Sequence, residues 1–309
     1  MMYMHHMSRK LPFVMLGILG IIWGSNFLFM KMAVAHVQPI QVAWLRTLFG
    51  AVPILALAAA TRVLAWRDWR HAHHFLVMAL LANVGPYVFF VIGTKYLSSG
   101  IAGVISGAVP CITAVIVAVS LPTEKITSRK LKGLAIGFLG VLLVALGAYG
   151  DGTTQSDATL LGVFAMLVGS LSYALAIVYA RRFINVLALS AVKLAAYQVL
   201  IACILLSMAT STGGLADLWA DTPAALGLVV GLGIIGTGVA FVLYYYLIAK
   251  LGALAASTVY YIPPPVALLL GAAILGENVT MLQLAGMAAI LVGIYLAAGQ
   301  TTNEQRSNA

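Results

Sequence analysis

The amino-acid sequence predicts an all-α integral membrane protein, with ten transmembrane helices arranged as two inverted five-helix repeats. Three observations carry this prediction. Of 309 residues, 62% are hydrophobic and only 8% charged, with a mean hydropathy of +1.05, whereas soluble domains are about a quarter charged. So few charged side chains cannot cover a globule in water, and a chain this apolar is no disordered chain either. Ten apolar stretches of about 20 residues, the length that crosses a bilayer, follow one another. Two blocks of residues recur in the same order in the two halves.

The spans fall at 11–34, 38–60, 74–96, 98–121, 129–149, 158–181, 187–210, 223–249, 252–275 and 278–299. Short connections leave no room for an inserted soluble domain. Runs such as 134–146 and 266–275 are continuously apolar, unlike the alternating strands of a β-barrel. The first run is too long for a signal-peptide core and lacks a small-residue cleavage site, so it is expected to be retained. Residues 1–10 are expected to form a cytoplasmic segment, 11–150 the first repeat, 158–299 the second, and 300–309 a cytoplasmic tail.

Lys and Arg placement orients the chain. With the N-terminus inside, one face carries Arg9, Lys10, Arg62, Arg67, Arg70, Lys125, Arg129, Lys130, Lys132, Arg181, Arg182, Lys193, Lys250 and Arg306. The other carries only Lys31 and Lys95, and holds most of the acids: Asp151, Asp157, Asp217, Asp221 and Glu277. Both termini are therefore expected in the cytoplasm, with the chain in the inner (plasma) membrane. The net charge of +9 calls for no nucleic acid, because basic loops beside an anionic leaflet account for it. The expected partners are membrane lipid and a small-molecule solute.

Leu16-Gly17 and Gly24-Ser25 recur at a constant offset as Leu161-Gly162 and Gly169-Ser170. Further on, Pro110, Glu124, Thr127, Gly133 and Gly140 correspond, again at a constant offset, to Pro263, Glu277, Thr280, Gly286 and Gly293. Five spans per half is an odd number, so the second half enters from the opposite side. The charges agree, with Glu124 on the basic side and Glu277 on the acidic side. Halves related by a pseudo-two-fold axis in the membrane plane open alternately to either face, the architecture of secondary transporters.

The residues Trp23-Gly24-Ser25-Asn26-Phe27, Arg46 in the second span, and the Pro110…Glu124…Gly133…Gly140 frame with its copy Pro263…Glu277…Gly286…Gly293 resemble the drug/metabolite transporter superfamily, in its ten-helix EamA-type branch. The similarity covers 11–299. It implies an exporter of metabolites, often amino acids, with the aromatic amino acid exporter type as the particular comparison. The triple proline Pro263-Pro264-Pro265 departs from the usual single proline and leaves the local backbone open.

Inside hydrocarbon every backbone donor and acceptor needs a partner within the protein. Pro86, Pro110, Pro263 and Pro264 each remove an N–H inside a span, so kinks are expected there, either static or acting as hinges around a cavity. Among deep polar residues the amides are costly. Asn26 and Asn83 are candidates to face a cavity, and Gln198 is expected to join helices. Trp66, Trp69 and Trp219 stand at the interfaces as anchors. Trp23, Tyr87, Tyr173, Tyr245 and Tyr260 are the candidates for a solute pathway suited to an amphipathic, partly aromatic molecule, with core packing as the alternative for each. Small residues at Gly133-x3-Gly137 and Ala285-x3-Ala289-x3-Gly293 mark close packing in the fifth and tenth spans, expected to be scaffold or a homodimer contact.

No Asp or Glu lies in the middle of a span, so facilitated or loosely coupled transport is expected. Glu124 and Glu277 precede new helices, where a carboxylate suits the N-terminal dipole. Arg46, about eight residues into its span, either snorkels to the surface or contacts a carboxylate. Phosphate-loop, catalytic-triad and metal-ligand patterns are missing from the spans, so neither a cofactor nor enzyme activity is expected. A nucleotide-sugar or sugar-phosphate carrier would need several cationic groups in its cavity. An embedded enzyme or assembly factor would need titratable groups clustered at a mouth. Solute binding is expected near the midplane, between the first, third and fourth spans and the sixth, eighth and ninth.

Overall fold

Helix starts follow the local cap chemistry. Ser98 accepts a hydrogen bond from Ile101 N, Ser190 from Lys193 N, and Asp221 from Ala224 N, each satisfying a donor left free at a helix start. The computed structural model describes residues 2–120, 127–149, 157–186 and 189–298. They form ten long helices: α1 (Met2–Val34), α2 (Pro39–Ala60), α3 (Trp66–Tyr96), α4 (Ser99–Ser120), α5 (Ser128–Tyr149), α6 (Asp157–Val186), α7 (Ala191–Ala209), α8 (Thr222–Leu251), α9 (Ala253–Leu275) and α10 (Met281–Ala298). There is no strand among the described residues. A short surface helix, Leu215–Ala220, precedes α8. Two helices begin well ahead of the expected spans. Helix α1 reaches back to Met2, and α3 gains a 3-10 turn, Trp66–His71, ahead of the apolar run.

The packing obeys a two-fold relation between the halves. Helix α3 packs on α6 as α8 packs on α1, α4 on α6 as α9 on α1, and α7 on α3 as α2 on α8. The pairs α2–α7, α4–α9 and α5–α10 each join a helix to its own counterpart. The relation inverts the faces. Near the end of α1, Lys31 Nζ donates to Thr94 O (3.0 Å) and Leu97 O (2.8 Å) at the end of α3. Near the end of α6, Arg181 donates to Ile248 O and Ala249 O, both at 3.3 Å, at the end of α8. The first contact lies on the acid-bearing face, the second on the basic face. Lys and Arg are suited to these positions because the last carbonyls of a helix lack intrahelical donors.

The helix interruptions follow the same relation. A π turn, Leu80–Val84, breaks α3, and a longer π stretch, Gly227–Val239, breaks α8. Helix α4 divides into Ser99–Ser106 and Val109–Ser120; α9 divides at a 3-10 turn, Thr258–Tyr261. The prolines stand at these interruptions. Pro86 follows the π turn of a backbone that stays helical through Val84 and Gly85, the local disruption expected of a proline inside a span, whereas Pro110 lies at the second position of Val109–Ser120 and Pro263, Pro264 and Pro265 fill the first three positions of Pro263–Leu275. First-turn N–H groups have no intrahelical partner, so proline costs little there. This accounts for a triple proline inside a span.

The last glycines of the repeated frame meet at the α5–α10 crossing. A Cβ on Gly140 would lie 2.6 Å from Gly286 O, and one on Gly293 would lie 2.6 Å from Gly137 N. The two backbones touch because neither residue carries a side chain. Glu124 lies outside the described residues. Its repeat partner Glu277 caps the start of α4 rather than the start of its own following helix. That helix, α10, is capped by Thr280 and Gln283, with Thr280 N donating to Gln283 Oε1 (2.7 Å) and Gln283 N to Thr280 Oγ1 (3.3 Å).

Candidate solute site

The interrupted segments converge on a cavity lined by Trp23, Asn26, Phe27, Met30, Arg46, Phe90, Ser106, Tyr173, Tyr260 and Pro263. Its free volume is about 20 Å³, room for little more than a water molecule, so the walls stand nearly closed on one another. Helices of both halves supply the walls: α1, α2, α3 and α4 from the first, α6 and α9 from the second. Trp23 is the hub of an aromatic cluster. Its ring lies 4.8 Å from Tyr244, 4.9 Å from Tyr260 and 6.3 Å from Tyr173, and Tyr173 lies 5.4 Å from Tyr260. The indole is fixed by Nε1 donating to Gly236 O at 3.2 Å, a carbonyl of the π stretch. Thr237 Oγ1 donates to Leu232 O (2.9 Å) in the same stretch. Side chains thus satisfy backbone groups within the irregular part of α8, as membrane depth requires.

Arg46 does not snorkel. Its side chain is buried, with 3% of the residue exposed. The guanidinium carbon lies 3.6 Å from the centroid of the Tyr87 ring. Nε donates to Thr237 Oγ1 at 3.4 Å, Nη1 approaches Met30 Sδ at 3.7 Å, and Tyr87 OH donates to the same Thr237 Oγ1 at 3.1 Å. Three further polar atoms near the cavity are buried without a hydrogen-bond partner: Asn26 Oδ1, Tyr244 OH and Tyr260 OH. Such groups are rare in folded proteins and mark places where something else supplies the partner.

The expected site residues divide into three groups. Trp23, Asn26, Arg46, Tyr173, Tyr260 and Pro263 line the cavity together. Tyr87 backs Arg46 instead of lining it. Asn83 and Tyr245 are joined to each other through Gln198, with Gln198 Nε2 donating to Asn83 Oδ1 at 2.9 Å and Tyr245 OH donating to Gln198 Oε1. This chain ties α3, α7 and α8 together, and Gln198 is the joining residue expected of it. Pro86, Pro110 and Pro264 are positioned at the helix interruptions described above. Residues that sequence reasoning did not select are Tyr244, Phe27, Met30, Phe90 and Thr237. Phe27 stands in the motif beside Trp23 and Asn26, Phe90 follows Asn83 and Tyr87, and Tyr244 belongs to the run Tyr244-Tyr245-Tyr246; consecutive residues of a helix point about 100° apart, so such runs alone do not say which ring turns inward.

The fold and the cavity define a membrane transporter built from two inverted repeats. The chain belongs to the EamA-like transporter family, which matches residues 11–146 and again 160–299, one match per half. It is 28% identical over 293 residues to an uncharacterized transporter of Archaeoglobus fulgidus, covering 92% of this chain and 97% of that one. It is 26% identical to the uncharacterized transporter YoaV of Bacillus subtilis over 92% of this chain and 96% of the relative. It is 29% identical to the uncharacterized inner membrane transporter YedA of Escherichia coli K12, over 90% of this chain and 87% of the relative. A crystal structure with 19% identity aligns with a TM-score of 0.67 over 93% of this chain and 96% of its own, a likeness of fold.

Proposed function

We propose that this transporter exports small organic metabolites from the cytoplasm by alternating access, with aromatic or hydrophobic amino acids as the leading solute class. The observation that carries this reading is the aromatic cluster around Trp23, drawn from both halves and edged by buried polar atoms that lack partners. A planar or aliphatic solute body suits ring faces. A head group suits Asn26 Oδ1, the Tyr244 and Tyr260 hydroxyls, and Arg46. The two halves would rock about the α5–α10 crossing, with the proline-bearing segments of α3, α4 and α9 as hinges. The basic face would be cytoplasmic, with both termini there, in the inner membrane. Transport would be facilitated or loosely coupled, since all Asp and Glu residues stand outside the middle of the spans and a buried proton carboxylate is the usual coupling device. The cavity offers one cation, Arg46, among the described residues, which disfavours nucleotide sugars and sugar phosphates.

Purified protein in liposomes, screened with a panel of labelled amino acids, tests the reading. Flux of aromatic or hydrophobic members is expected, with Trp23→Ala and Tyr260→Ala lowering it by about tenfold or more, since a ring contact is worth about 1 kcal/mol beyond its buried area. Absence of flux across the panel, or wild-type flux in both variants, would overturn it.

A further inference from the structure

Arg46 carries a permanent positive charge into the cavity, and no carboxylate among the described residues neutralises it. Its neighbours are a ring face, a hydroxyl and a thioether. A ring face offsets only part of the cost of burying a guanidinium. Described acids are engaged elsewhere: ion pairs join His36 to Asp221 and Lys193 to Asp68, and Glu277 accepts from Ser99 and Gly100. Stacking on Tyr87 occupies one face of the guanidinium, and Nε and Nη1 meet Thr237 Oγ1 and Met30 Sδ at its edges; Nη2 and the second N–H of Nη1 have no partner among the described residues and are the donors left for a carboxylate. The same cavity holds an unpartnered acceptor, Asn26 Oδ1, yet no carboxylate for an ammonium group.

We infer that Arg46 selects solutes by head-group charge: the site takes a single carboxylate, accepts a neighbouring amino group without requiring one, and rejects the same body bearing only an amine. This inference rests on the transport reading above and narrows it from amino acids to monocarboxylates as a class. A solute bearing one carboxylate supplies the missing counter-charge. An amino group finds Asn26 Oδ1 and the ring faces of Trp23, Tyr173 and Tyr260, which stabilise a cation weakly. A free amine would place a second positive charge beside a buried guanidinium.

Ligand-induced thermal stabilisation of the purified protein, with flux in liposomes as a second readout, tests this with matched probes. The first set is phenylalanine, 3-phenylpropionate and phenethylamine. The second is 4-methylpentanoate and isopentylamine, which keep the charge contrast without a ring. The carboxylates are expected to bind at least about tenfold more tightly than the matching amines, since a site built for a polar group strongly rejects an analogue lacking it. Arg46→Gln should abolish that preference. Arg46→Lys, which keeps the charge, should retain the preference with weaker binding, and guards against a Gln variant that fails to fold. Amines binding within threefold of the carboxylates on both bodies would overturn the inference and leave the transport reading standing. A preference kept in a folded Arg46→Gln protein would overturn it too. Binding of only the aliphatic carboxylate would refute the aromatic solute reading and uphold the charge inference. Binding by none of the probes would overturn it.

Discussion

Glu277 caps a helix from the other half of the molecule: its Oε1 accepts hydrogen bonds from Ser99 N at 2.9 Å and Ser99 Oγ at 3.0 Å, and Oε2 accepts from Gly100 N at 3.1 Å. On the other side of the turn the Lys31 ammonium holds the end of α3 through Thr94 O and Leu97 O. The turn between α3 and α4 is thus pinned from both sides, by a cation at the last carbonyls of one helix and an anion at the first N–H groups of the next.

Removing the anion should loosen that turn. Glu277→Ala leaves two backbone donors unpaired and is expected to cost about 1–3 kcal/mol, read as a lower melting temperature in detergent. Glu277→Gln keeps an acceptor and should lose less. Equal melting temperatures for wild type and the Ala variant would contradict the cap.

The α5–α10 crossing makes a steric prediction. Gly140→Ala and Gly293→Ala each place a Cβ within 2.6 Å of backbone atoms of the facing helix. Each should destabilise by about 1–3 kcal/mol, the usual cost of overpacking. The pair should be non-additive, because once the helices are forced apart the second methyl has room. Melting curves of the two single variants and the double variant decide this.

Gln198 is expected to behave as a joining residue. Gln198→Leu leaves Asn83 and Tyr245 buried without their partner and should cost about 1–3 kcal/mol. A double-mutant cycle between Asn83→Ala and Tyr245→Phe should show coupling transmitted through the amide. Independent, additive effects would show that the chain of hydrogen bonds contributes nothing.

The orphan hydroxyls predict the opposite pattern. Tyr244→Phe and Tyr260→Phe each remove a buried oxygen that has no partner. Stability should hold or rise by up to about 1 kcal/mol, since the desolvation cost of the unpaired group disappears. Solute affinity should fall. A loss of stability in either variant would mean the hydroxyl is structurally engaged.

Much of the architecture was legible because it is written along one dimension. Apolar runs of bilayer length count the helices, an odd number per half inverts the second half, and Lys and Arg mark one face. The repeated frame ends at Gly140 and Gly293, which prove to be the touching point of α5 and α10. Trp23, Asn26, Tyr173 and Tyr260 could be singled out as deep polar or aromatic residues in otherwise apolar spans.

Contacts across the bundle were decided only by tertiary structure. The π segments in α3 and α8 shift the phase of everything after them, because each extra residue in a turn rotates the helix by about 100°. Counting with an unbroken 3.6-residue period therefore cannot tell that Tyr244 packs on Trp23 while Tyr245 bonds Gln198. Arg46 turns inward because Tyr87 and Thr237, on two other helices, offer it a ring and a hydroxyl. Glu277 reaches across to α4 because the free N–H groups of Ser99 and Gly100 lie opposite it. Sequence determines which groups need partners at membrane depth, and the packing of the two halves determines which partners they meet.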